Sequence, residues 1–140
     1  MTAKEYLSQA ATLKRRIKQI EDRIEELRTE ASSPKAIRYD KDMIQSSPSG
    51  DALAKYMIRL DHEERKLIQL KERYLDIHEE IRNRILLVRP DLYSDVLYMR
   101  YLEGKSLVDI SEELLYSYIY VCKLHGRALL EFARKNPDIC

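Results

Sequence analysis

The sequence predicts an all-α chain: a long antiparallel coiled-coil helical hairpin followed by a small trihelical helix-turn-helix unit. Three observations predict it. The composition is 44% hydrophobic and 35% charged, with only 3 Gly and 4 Pro in 140 residues, which favours exposed helices over a sheet protein. Apolar residues recur every seven positions through two long segments, the signature of a coiled-coil seam. Two short helical segments near the C-terminus are separated by a three-residue break. Helices so joined cannot lie side by side and must cross steeply.

The first segment covers residues 3 to 31. Ala3, Ala10, Ile17, Ile24 and Ala31 hold one heptad position; Tyr6, Leu13, Ile20 and Leu27 hold the other. Lys18 and Asp22, one turn apart, pair weakly. The basic cluster Lys14, Arg15, Arg16, Lys18 is followed within a turn by acids and reads as a solvated face. Pro34, after Ser32 and Ser33, stops this helix. A linker, about 33–50, ends in Ser46-Ser47-Pro48-Ser49-Gly50. The second long helix is expected from Asp51 to about Val88. Leu53, Leu60, Leu67, Tyr74, Ile81 and Val88 form one seam position, and Tyr56, Leu70 and Ile77 the other, with Met57 and Ile85 widening it. Two helices alone bury little, so a second copy is expected to complete a bundle, making the chain a homodimer through residues 1–88.

Arg89-Pro90-Asp91 breaks the long helix and opens the 89–140 unit. Pro90 suits the first turn of the next helix and Asp91 its cap. That helix, Leu92 to about Leu102, is expected to turn Leu92, Val96 and Met99 towards the hairpin. Gly104 supplies the left-handed residue of its exit. Ser106 and Asp109 then read as a capping box, with Leu107, Ile110 and Leu114 on one helix face. Ser117 caps a longer helix whose apolar positions are Val121, Leu124, Ala128 and Leu129. Ser111 is small because the second helix passes over it. After Leu130 the chain is expected to trail off, with Pro137 ending any helix.

In the usual docking of such a unit, the second helix enters the major groove of duplex DNA and its N-terminal residues face base edges. Here the candidates are Ser117, Tyr118, Ile119, Cys122, Lys123, Gly126 and Arg127. Lys123 and Arg127, one turn apart, suit phosphates or a guanine edge. Ser117 and Tyr118 can hydrogen-bond phosphate, Ile119 can touch a thymine methyl, and Gly126 permits close backbone approach. From Ser117 to Lys135, Lys123, Arg127, Arg134 and Lys135 outweigh Glu131. The whole chain carries a net charge of only +1, so DNA contact must come from local arrangement.

Other chemistries find no support in the residues. His62-Glu63-Glu64 and His78-Glu79-Glu80 lack the second His that an HExxH zinc site needs. No nucleophile–base pair with supporting spacing and no phosphate-cradling Gly loop stand out, so neither an enzyme nor a bound cofactor is expected. Cys122 and Cys140 fit free thiols in a reducing cytosol. No apolar run approaches the ~20 residues that span a bilayer, so no membrane association is expected.

The segments LYMRYLEGKSLVDISEELLYS and YVCKLHGRALLEF, from Leu97 onward, resemble region 4 of bacterial sigma-70 factors. They are closer still to the sigma-region-4-like proteins of phages and prophages of Gram-positive bacteria, which include late transcription activators. The specific parts are the Arg100–Ser106 lead-in, the Ile110/Glu112/Glu113/Leu114 helix and the Leu124–Leu129 close. The family usually has Gly at the turn, where this chain has Leu115. The resemblance implies a transcription regulator in the bacterial host cytoplasm. It would bind promoter DNA through the helix-turn-helix, with host RNA polymerase as a further partner. Two alternatives stand beside it: a module that contacts polymerase without reading bases, and a packaging protein resembling a small terminase subunit.

Overall fold

The fold begins with reciprocal hydrogen bonds at the first turn. Thr2 Oγ1 accepts the Glu5 N–H at 3.2 Å, and the Glu5 carboxylate accepts the Thr2 N–H at 3.0 Å. This capping box opens α1 (Ala3–Leu7) and satisfies two otherwise orphan donors. A computed structural model describes residues 1–32 and 49–139, and their regular structure is all helical. The expected linker falls, over 33–48, outside the described residues, as does Cys140.

Six α-helices and one π-helical turn make up the described residues. After α1 come α2 (Gln9–Ser32), α3 (Ser49–Leu86), α4 (Asp91–Leu97), a π-helical turn (Tyr98–Leu102), α5 (Leu107–Leu114) and α6 (Tyr118–Lys135). The single helix expected over 3–31 is interrupted at Ser8. There the side-chain hydroxyl donates to the Lys4 carbonyl at 2.7 Å, a local bond that competes with the regular ladder. At the far end of α3, Pro90 stands in the cap position and makes no side-chain cap bond. Asp91 is not the cap; its carboxylate lies 3.1 Å from Arg89. The buried Ser94 hydroxyl instead donates to the Ile85 carbonyl at 3.0 Å, occupying one of the orphan acceptors at the end of α3.

The contacts divide the chain into two units, 15–72 and 1–14 with 73–140. In the first, Ile17, Ile24 and Leu27 of α2 are buried, and Arg28 pairs with Glu64 of α3 at 2.8 Å. Leu60, Leu67 and Leu70 are half-buried. Leu53 and Met57, expected in the seam, stand 61% and 55% exposed. No described residue covers them.

The second unit has two apolar clusters. In one, Tyr6 and Leu7 meet Ile81, Ile85, Val88, Leu97, Tyr101 and Phe132. In the other, Val96 and Met99 meet Ile110, Val121 and Leu124. This corrects the expected orientation of Leu92, Val96 and Met99, which pack against α5 and α6. The opposite face of the same run, Leu97 and Tyr101, packs against α1, the C-terminal end of α3 and α6. Both faces are apolar, and spacing alone assigns neither.

The C-terminal expectation is also overturned. The chain does not trail off at Leu130: α6 continues to Lys135, and Phe132 is fully buried, stacked on Tyr6 at 5.9 Å. Arg84 then donates to Asn136 at 2.9 Å and to Asp138 at 3.2 and 3.0 Å. Beyond them, the Lys135 ammonium donates to the Leu87 carbonyl at 2.8 Å. Polar anchors thus hold the last helix where its aromatic residue is needed.

Candidate nucleic-acid interface

The candidate residues all fall on α6 or the turn before it, so the turn decides what they can do. Gly104, at φ 72, ends the π-helical turn. Ser106 Oγ accepts the Asp109 N–H at 3.1 Å and starts α5. Leu115 ends α5 in the left-handed conformation, φ 60 and ψ 37, and lets the Tyr116 N–H reach back to the Ser111 carbonyl at 3.0 Å. Ser117 returns to extended backbone, and its hydroxyl accepts the Tyr120 N–H at 3.2 Å. The second helix thus starts three residues after the first. Ser111 is buried, as the close passage of α6 requires.

Burial fixes how α6 is rotated. Val121, Leu124, Ala128 and Phe132 are buried on one stripe. At 100° per residue, Ile119, Lys123, Gly126 and Leu130 lie opposite, with Cys122 and Arg127 at the edges. The exposures agree: Ile119 is 70% and Leu130 73% exposed, and Ser117, Lys123, Gly126 and Arg127 are exposed as well. Tyr118 is half exposed, and Cys122 is half-buried beside it. A hydrogen bond with Cys122 holds the Tyr118 hydroxyl pKa above its ordinary value.

The rotation is also held by a polar contact. The Tyr101 hydroxyl and His125 Nε2 are 2.7 Å apart, and their rings stack at 5.7 Å. Burial lowers the His125 pKa below its usual range, with Arg100 and Lys4 adding to the effect.

Charge is unevenly used along α6. Arg134 is engaged by Glu131 and Lys135 by a carbonyl. Lys123 and Arg127 make no ion pair or hydrogen bond among the described residues. On α5, Asp109 and Glu112 are exposed, while Glu113 is tied to Lys105. The acids of α5 therefore oppose the cations of α6 in attracting a polyanion.

Leu115, at the turn, is 89% exposed. Some exposed apolar groups were not singled out from the sequence: Tyr116 and Tyr120 meet edge to face at 5.1 Å. Leu130 could have been found by wheel projection, since it follows Ile119 by eleven residues. Among the described residues, no group of three His, Cys, Asp or Glu side chains gathers where a metal could sit. No described helix is long and apolar enough to cross a membrane. Compared with protein-family models, curated proteins and solved structures, the chain matches none.

Proposed function

We propose that this chain is a DNA-binding transcription regulator of the sigma-region-4-like kind, from a phage or prophage. In this reading α5, the Leu115 turn and α6 are the helix-turn-helix. The paired segments of α2 and α3 are a coiled-coil hairpin that joins two copies, in the cytoplasm of a bacterial host. One observation carries it: the stripe opposite the buried face of α6 is open and bears Lys123 and Gly126, with Arg127 at its edge, and neither cation is engaged among the described residues. Leu53 and Met57, exposed at heptad positions, support a second copy.

Titration of labelled promoter-sized duplexes at 50 and 200 mM salt tests the reading. Few cations face outward, so a shallow salt slope is expected, on the order of two to four phosphates per protomer. Folded protein that binds no duplex at low salt would end it.

The exposed Leu115, Tyr118 and Ile119, following acidic α5, favour a second reading: a protein contact with host RNA polymerase that reads no bases. Purified polymerase retaining the chain while duplexes do not would select it.

A further inference from the structure

We infer that Gly126 is the seat of one phosphate of a DNA backbone, with Lys123 and Arg127 supplying the neutralising charge. This rests on the DNA-binding reading and narrows it to a single contact.

Gly126 lies in the middle of α6. Glycine is the poorest helix former after proline, so an interior glycine needs a reason. The usual reason is a neighbour that a Cβ would strike. At Gly126 an added Cβ would meet nothing within 4 Å, and the backbone is ordinary helix. The packing of this chain therefore gives no reason for the residue. Its effect is outward: another molecule can approach the helix backbone closer by about one carbon–carbon bond, ~1.5 Å.

The charge beside it says which molecule. Lys123, on the same open stripe, and Arg127, at its edge, stand one turn apart, exposed and unengaged among the described residues. An ammonium and a guanidinium fork on neighbouring turns of one helix suit a phosphate oxygen set. Ile119 and Leu130 share the stripe with Gly126, but an apolar partner helix laid over it would strip water from both cations without pairing them, which is unfavourable. The Gly126 N–H is committed to the helix ladder, so the donors to the phosphate are the Lys123 and Arg127 side chains and the glycine supplies only room. A contact to phosphate carries little sequence information.

The test compares the full chain with Gly126→Ala, Gly126→Leu, Lys123→Ala and Arg127→Ala on a 20-base-pair duplex at two salt concentrations, with thermal melts alongside. Alanine and leucine are both good helix formers, so both Gly126 variants are expected to melt higher, by about 3 °C. Both are expected to bind more weakly, Gly126→Leu by about tenfold or more. Each cation variant is expected to lower the salt slope by about one. Wild-type affinity in Gly126→Leu would overturn the inference while leaving the DNA-binding reading intact. Weak binding by Gly126→Leu with unchanged salt slopes in both cation variants would point to an apolar contact and overturn it too. Failure of the wild-type chain to bind any duplex would remove both.

Discussion

Leu115 carries two properties that pull against each other, and their balance predicts a stabilising substitution. Its backbone is left-handed, φ 60 and ψ 37, which costs a side-chain-bearing residue ~1–2 kcal/mol. Its side chain is 89% exposed, so burial returns only about a tenth of the ~2 kcal/mol of a fully buried leucine, or ~0.2 kcal/mol. Leu115→Gly relieves the strain and loses that small burial term. It also loosens the unfolded chain, at a cost of ~0.4–1 kcal/mol. The net expectation is a gain of ~0.5 kcal/mol. Leu115→Ala keeps the strain and should be nearly neutral. Equilibrium urea unfolding measures both. With a slope of about 2 kcal/mol per molar for a chain of this size, Leu115→Gly should raise the midpoint by ~0.25 M. A lowered midpoint for glycine, or a loss above ~1 kcal/mol for alanine, would refute the reasoning. Either result would mean that the leucine side chain is packed or the turn is not left-handed.

Phe132→Ala should cost ~3–5 kcal/mol in the same assay, because the ring is fully buried and stacked on Tyr6. The exposed Leu130→Ala should stay within ~0.5 kcal/mol, and equal losses would place both residues wrongly. His125 predicts a pH dependence. Its folded pKa lies below the ordinary 6.5, so between the two values the unfolded chain binds more protons. Stability is then complete above 6.5 and falls as pH drops from 6.5 towards the folded pKa. His125→Gln should flatten the curve between pH 5 and 7, and an unchanged slope would reject this role. Charging the open seam positions with Leu53→Lys and Met57→Lys should yield monomers by light scattering. Duplex affinity should then drop by a factor on the order of 10²; a dimer that persists would separate these residues from self-association.

What could be read from the sequence follows the reach of the interactions. Ser106, Ser117 and Gly104 were legible because a cap or a left-handed exit depends on three or four adjacent residues. Ile110, Ser111, Leu114, Val121 and Leu124 were legible because two helices joined by three residues leave few ways to cross. Phe132 was not legible. It is one aromatic in a charged tail, and its partners Tyr6 and Leu7 lie at the opposite end of the chain. The orientation of Val96 and Met99 failed for a different reason. Leu97 and Tyr101 make the other face of their helix equally apolar, so periodicity showed that the helix is buried without showing against what. The heptads located Leu53 and Met57 on a seam, but a repeat specifies a stripe and not the surface that covers it. At the candidate site, spacing placed Lys123 and Arg127 one turn apart. It could not show that their neighbours Arg134 and Lys135 are already engaged.

That last distinction decides how strongly α6 can attract DNA. By formal charge the helix carries four Lys and Arg against one Glu. By contacts, Glu131 holds Arg134, the Leu87 carbonyl holds Lys135, and among the described residues Lys123 and Arg127 alone of the four are unengaged. Asp109 and Glu112 on α5 are exposed as well, and at 0.1 M salt charges within about 10 Å still feel one another. Two free cations opposed by two acids give weak attraction at a distance. In the proposed DNA-binding reading, binding must then depend on close fit, and here the fold compensates. Val121, Leu124, Ala128 and Phe132, with the Tyr101–His125 contact, fix the rotation of α6 before any ligand arrives. Little free energy is then lost in ordering the helix on contact. A rigid, nearly neutral face with a glycine at its centre should bind through proximity, and lose most of its affinity to a single added methyl or isobutyl group. A strongly basic flexible face would lose little to the same change.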